Sequence, residues 1–245
     1  MSAALNVFQQ VEAKRKSWTP INPTENEKVK SGAEDTISRC LALRCLEIPV
    51  KEFIVDGLAR KESLAIGEDG IRTLSRNILD EEKHDLAFNN CVKIYADYDS
   101  SLEKQAEQIR DAWLNHPDFP ITKAAVLENG VFFVALPIYR LFGSSSMRTT
   151  AIDVSADEVG HVQSHRYAAM LTNFKPSRSL DKLRKDTVAW IVDKFNVPGH
   201  TKDKFIKASD DLMYRGITPQ LEETKSYQVF AFFEKSNQVL PRYSA

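Results

Sequence analysis

The chain has 245 residues, 42% of them hydrophobic and 27% charged, with a formal net charge of −1. This is ordinary globular composition, long enough for one domain with a sizeable core. A near-neutral charge gives no electrostatic basis for binding nucleic acid or an anionic membrane. The three cysteines, Cys40, Cys45 and Cys91, form no Cys-x-x-Cys pair. An odd, unpaired set argues against a disulfide framework or a zinc knuckle, and a reducing cytosol is the expected compartment. The longest apolar run, Val131 to Tyr139, is interrupted by Pro137 and is far shorter than the roughly 20 residues of a membrane span. Met1 to Lys16 has no apolar signal core. The expectation is a soluble, cytoplasmic protein with no nucleic-acid or membrane partner.

Few glycines, with frequent Ala, Leu, Glu and Lys, favour helix over sheet, and no segment alternates as a strand would. Residues 1–16 suit a short helix with Leu5, Val7, Phe8 and Val11 as apolar contacts. Residues 17–33 carry Pro20, Pro23 and Gly32 among polar residues and read as a loop. Trp18 lies in that loop and is expected to cover the core. A long helix is predicted from Asp35 to Ile66, with Leu43, Val50, Ile54 and Leu58 on one stripe and Pro49 as a kink. Glu47 falls on the stripe.

The next helix, Asp69 to Tyr98, carries the row Ile71, Leu74, Ile78, Glu81, His84 or Asp85, Phe88, Cys91 and Tyr95. Ser101 to Asn115 reads as a shorter, largely polar helix ended by His116-Pro117. Thr122 to Phe142 follows, with Ala124, Glu128, Val131, Phe132, Ala135 and Tyr139 in line. Met147 to Asn173 then aligns Ala151, Val154, Glu158, His161, His165 and Ala168. Further helices are expected at Leu180–Phe195, Lys202–Tyr214 and Gln220–Val239, with a loose tail from Leu240. The fold class is all-α: one domain over residues 1–245, a four-helix core over about residues 36–172, and additional helices over residues 173–245.

Four carboxylates thus lie on four apolar rows: Glu47, Glu81, Glu128 and Glu158. An ionised carboxylate is costly in an apolar core unless it is paired or bound to a metal. Two of them open Glu-x-x-His motifs, Glu81–His84 and Glu158–His161. Residues three apart share a helix face, so each pair can reach one ion. One such motif means little in a chain rich in Glu. Two of them, each preceded by a helix with a Glu in its apolar row, suit two antiparallel hairpins around a pair of metals. Glu52 lies on the same helix as Glu47 and is the alternative first ligand. Glu47 is preferred for its place on the stripe. Glu82 is expected to face a neighbouring helix or solvent. Asp85 and Asp157 are the expected partners of the ligand histidines. His165, one turn after His161, is either such a supporting group or an extra ligand.

This order of Glu, Glu-x-x-His, Glu, Glu-x-x-His resembles the ferritin-like di-metal carboxylate superfamily. Its members include bacterioferritins, ribonucleotide reductase small subunits, bacterial multicomponent monooxygenases and aldehyde-deformylating oxygenases. The match is one of motif and spacing over about residues 36–172. Asp157 before Glu158 resembles the Asp-Glu-x-x-His of reductase small subunits, in which that Asp orients a metal-bound His. The resemblance implies a four-helix bundle holding two iron ions, or iron with manganese, that activate O2. Mixed carboxylate and imidazole ligation suits those metals, whereas zinc favours four-coordinate sites with fewer carboxylates.

The expected activity is an oxygenase or oxidase of a small organic substrate, with Phe88, Phe132, Ala135 and Tyr139 lining an apolar pocket. A channel reaching Glu128 would favour that reading. The alternative is a radical generator like a reductase small subunit, partnered by a reductase subunit. Against its common pattern, the position one turn after His84 is Phe88 where tyrosyl-radical members have Tyr. Tyr139 or Tyr95 could then be oxidised instead. Iron storage and a metal-free helical interaction module are further alternatives, and a homodimer is expected by analogy.

Overall fold

The computed structural model describes residues 6–22 and 26–214, and over these the protein is all-α. The helices are α1 (Val7–Lys14), α2 (Glu34–Ala42), α3 (Glu47–Leu58), α4 (Gly67–Ile94), α5 (Glu103–Asn115), α6 (Pro120–Leu127), α7 (Phe133–Phe142), α8 (Ser145–Leu171), α9 (Arg178–Ile191) and α10 (Lys202–Tyr214). The expected helix Gln220–Val239 and the tail lie outside the described residues. No strand occurs among the described residues, only an isolated bridge between Glu27 and Tyr95.

The helix expected over Asp35–Ile66 is divided. A tight 3-10 turn, Leu43–Leu46, separates α2 from α3, and a second one, Lys61–Ile66, follows α3. Proline has no N–H to donate back to the previous turn, so it fits at least cost in a helix's first turn. The break places Pro49 there, and brings Glu47 to the first position of α3. The helix expected over Thr122–Phe142 is continuous but not uniform. Between α6 and α7 it loosens into one π-helical turn, Glu128–Phe132. Such turns insert an extra residue, rotate the faces that follow, and cluster at functional sites.

α3 packs against α4 and α6, and α8 against α4, α6 and α7. Gly57 allows the close approach of α3 to α6, since a Cβ there would lie 2.5 Å from Ile121 Cγ1. The interior between these helices holds Leu46, Val50, Ile54, Leu74, Phe88, Leu127, Val131, Ala151 and Val154. α1 lies across α4 and α8 through Phe8 and Val11, and α9 and α10 cover the π turn. The run Pro120–Phe142 is long and apolar enough to cross a membrane, but 89% of its most apolar window is buried inside the protein. It is a core helix here.

Candidate metal centre

α4 presents Glu81 and His84, α8 presents Glu158 and His161, α3 presents Glu47, and the π turn presents Glu128. All six residues are buried, none more than 3% exposed. Their ligand atoms form two overlapping groups, each with every atom within 4.8 Å of the others: Glu47, Glu81, His84 and Glu158 in one, Glu81, Glu128 and His161 in the other. Glu81 belongs to both, lying 3.8 Å from His84 Nδ1 through Oε2 and 2.9 Å from His161 Nδ1 through Oε1. Glu158 also spans the centre, 3.3 Å from His84 Nδ1 and 3.8 Å from His161 Nδ1. Glu52, the alternative to Glu47, is exposed. Glu82 is exposed and pairs with Lys51.

Each imidazole turns Nδ1 into the carboxylate cluster and Nε2 away from it. His84 Nε2–H donates to Asp157 (3.3 Å) and His161 Nε2–H donates to Asp80 (3.2 Å). The expectation for Asp157 therefore matches its position, and that for Asp85 does not. Asp85 is half-buried, beside Asn89 and the charge of Arg44. A step of one residue turns a side chain by about 100° around a helix, which carries Asp85 off the face of His84. Asp80 has the role instead. Its signal was in the sequence: both motifs read Asp-Glu-x-x-His, and each Asp serves the histidine of the other motif. His165 Nδ1 lies 2.5 Å from Glu128 Oε2, beside a carboxylate of the cluster.

Residues outside the motifs complete the site. Lys83 Nζ bridges Asp80 and Asp157, at 2.9 Å from each. Trp18, expected only to cover the core, is half-buried over the His84 ring and donates from its indole N–H to Asp157 at 2.7 Å. Arg15 contacts Asp80. Nothing in the local sequence of residues 15–18 marks them as part of the site, because only the packing of α1 brings them there.

The electrostatics follow from burial. Desolvation drives Glu47 well above the usual carboxylate range. Burial, then the charge of Glu128, pushes Glu158 up to about 7. Burial acts the same way on Glu81, but the charge of His161 outweighs it and holds Glu81 near 2. Burial disfavours both imidazolium ions, yet the surrounding carboxylates hold His84 and His161 well above the ordinary range. The cluster of negative charge thus recruits protons onto its histidines.

No family model, curated protein or solved structure matches this chain. Eight buried atoms of the cluster have no hydrogen-bond partner: Glu47 Oε2, both oxygens of Glu81 and of Glu158, Glu128 Oε1, and Nδ1 of His84 and His161. Orphaned buried polar atoms each cost roughly 1–3 kcal/mol, a cost that bound cations would remove at this centre. The described helices bury a Glu/His cluster that could hold metal.

Beside Glu47 lies an apolar cavity of about 20 Å³ lined by Phe88, Val131, Phe132, Ala135, Leu136 and Tyr139 among others. All four residues expected to line a pocket are there, and Phe88 stacks on Tyr139 with ring centroids 5.2 Å apart. The cavity meets the cluster at Glu47 rather than at Glu128.

Proposed function

We propose that this protein is an O2-activating di-metal carboxylate oxidoreductase of the ferritin-like kind. The observation that carries the reading is the convergence of eight unpartnered atoms from four glutamates and two histidines in one buried centre. Glu47, Glu81, His84, Glu128, Glu158 and His161 would hold two iron ions, or iron with manganese. Four carboxylate charges balance two divalent ions, which makes a neutral site that can stay buried. Such ions, when bound, supply the electrons that reduce O2.

The chain's own groups have defined parts. Asp80 and Asp157 hold the two imidazoles with Nδ1 inward. Glu81 and Glu158 face both histidines, and Glu81 belongs to both ligand groups. Phe88, Val131 and Phe132 keep water from the Glu47 side. Glu158, with its raised pKa, can hold a proton that a metal must displace.

The size of the cavity favours one use of the oxidising power. About 20 Å³ admits one water-sized molecule, since a water needs roughly 10–15 Å³. O2 fits beside Glu47, and a second cavity of about 90 Å³ lies at His161, lined also by Arg15, Asp157 and Gly160. The narrow Glu47 side supports the radical-generator reading, in which the oxidising equivalent leaves the centre through the protein, over oxidation of a substrate held beside Glu47. Trp18, hydrogen-bonded through Asp157 to His84 and half-exposed, gives the centre an aromatic contact toward the surface.

The test is anaerobic loading with Fe(II), metal analysis, then exposure to O2 under electron paramagnetic resonance. Two metals per chain and O2 consumption without any organic co-substrate are expected. Fewer than one metal per chain, or Glu81→Ala protein with unchanged metal content, overturns the metal reading. O2 uptake that requires an added organic substrate restores the oxygenase reading.

A further inference from the structure

The centre's two groups of ligands are supported from different directions, and one residue outside the core stands behind one of them. Arg15, at the C-terminal end of α1, forks. One guanidinium nitrogen contacts Asp80 Oδ2, the oxygen that accepts from His161 Nε2–H. The other donates to Asn77 Oδ1 at 2.8 Å. Asn77 is fully buried, and its two ends are chemically distinct. With Oδ1 taken by Arg15, its amide nitrogen faces Ser164 Oγ at 3.1 Å and His165 Nε2 at 3.3 Å.

An amide nitrogen only donates. His165 Nε2 must therefore accept, and its ring proton sits on Nδ1. That atom is 2.5 Å from Glu128 Oε2 and donates to it. Arg15 thus fixes two ligands by two routes: His161 through Asp80, and Glu128 through Asn77 and His165. Both belong to the group Glu81, Glu128 and His161. His84, in the other group, hangs on Asp157 and Trp18, and Lys83 links Asp157 to Asp80.

We propose that Arg15 is a positioning residue for one divalent-metal position, the one formed by Glu81, Glu128 and His161, and that it sets the tautomer of His165. The inference rests on the metal reading above for its first half, while the tautomer stands without metal. Arg15 donates along the fork, so removing it frees the Asn77 amide to turn over and lets the His165 proton move to Nε2. Glu128 then loses its donor, and Asp80 loses the cation that shares its Oδ2.

Two measurements on the full chain test this. In chelator-treated protein, long-range 15N NMR of the histidines is expected to find His165 as the Nδ1–H tautomer, and as a mixture or the Nε2–H form in Arg15→Ala. An unchanged His165 signal in that variant overturns the proposal whether or not metal binds. For the metal position, Mn(II) titrations are made in the Glu47→Gln background, which disables the other position. Adding Arg15→Ala is expected to weaken the remaining site by about 10- to 100-fold, the usual effect of removing groups that orient ligands. Arg76→Ala removes the α4 partner of Glu12, which Arg15 also contacts; it tests whether the Glu12 link between α1 and α4 matters, and it should change nothing. Equal losses from Arg15→Ala and Arg76→Ala, or no loss from Arg15→Ala, overturn the assignment. If wild-type protein binds no Mn(II) or Fe(II), the metal reading fails and the NMR result alone decides the tautomer. If Arg15→Ala does not fold, Arg15→Lys replaces it: lysine keeps the charge but reaches one acceptor, so a smaller loss at the same position is expected, and no loss overturns the proposal.

Discussion

Replacing Glu158 by Gln distinguishes a metal centre from a structural ion-pair cluster by the sign of its effect. Burial and the charge of Glu128 raise the Glu158 carboxyl from 4.5 to about 7. An acid whose folded pKa is raised contributes its full stability below the unfolded value and loses it as pH rises through the folded one. Metal-free protein should therefore weaken from about pH 4.5 to just above pH 7 on account of this group. One pKa unit is about 1.4 kcal/mol, so keeping Glu158 charged costs roughly 3 kcal/mol. Gln has the same shape and no charge.

Chelated Glu158→Gln protein should melt above wild type at about pH 8.5, by roughly 6–12 °C at about 2–4 °C per kcal/mol for a chain of this size. The gain should vanish at about pH 4.5, where wild-type Glu158 is protonated. The same variant should bind metal weakly. Differential scanning calorimetry of metal-free and metal-loaded samples at the two pH values makes the measurement. If Glu158 is a structural partner of His84, removing it strands a buried charge and costs about 3–5 kcal/mol. A variant that melts lower at both pH values and still binds two metals would refute the reasoning.

Glu47→Gln should lower metal content from two ions to one per chain, while Glu52→Gln, on the exposed face of α3, should leave it at two by elemental analysis. Glu47, Glu158, His84 and His161 all have raised pKa values and must give up protons to bind metal. Affinity should therefore rise from about pH 5 to pH 8, with proton release measurable by calorimetry in buffers of different ionisation enthalpy. Ala135→Leu should fill the cavity beside Glu47 and slow O2 uptake without changing metal content, at a stability cost of about 1–3 kcal/mol from overpacking. Gly130→Ala should lower the melting temperature, because its Cβ would lie 2.3 Å from Arg184 Cδ; an unchanged melt would mean that the π turn is not clamped by α9.

Much of the centre was legible because helix periodicity is local. The rise and turn of a helix make i and i+3 neighbours whatever surrounds them, so the two Glu-x-x-His pairs and the Glu47 and Glu128 rows could be found by position alone. The preference for Glu47 over Glu52 follows from the same stripe, and burial separates the two in the folded chain. The stripe fails where the helix itself changes. The break at Leu43–Leu46 and the π turn at Glu128–Phe132 are compromises with packing, and periodicity carries no signal for either. Asp85 was misread because adjacency in sequence is not adjacency on a helix face.

The sequence by itself determined an all-α chain, and the identities of six buried donors on helical faces, because those depend on composition and on spacing within one helix. Only the tertiary structure decided how the faces meet. It alone put Asp80 of one motif on the histidine of the other, brought Arg15 and Trp18 against the centre, and left about 20 Å³ beside Glu47. Those contacts join residues more than 60 positions apart, and the free energy that forms them belongs to the packing of α1, α4 and α8 rather than to any one segment.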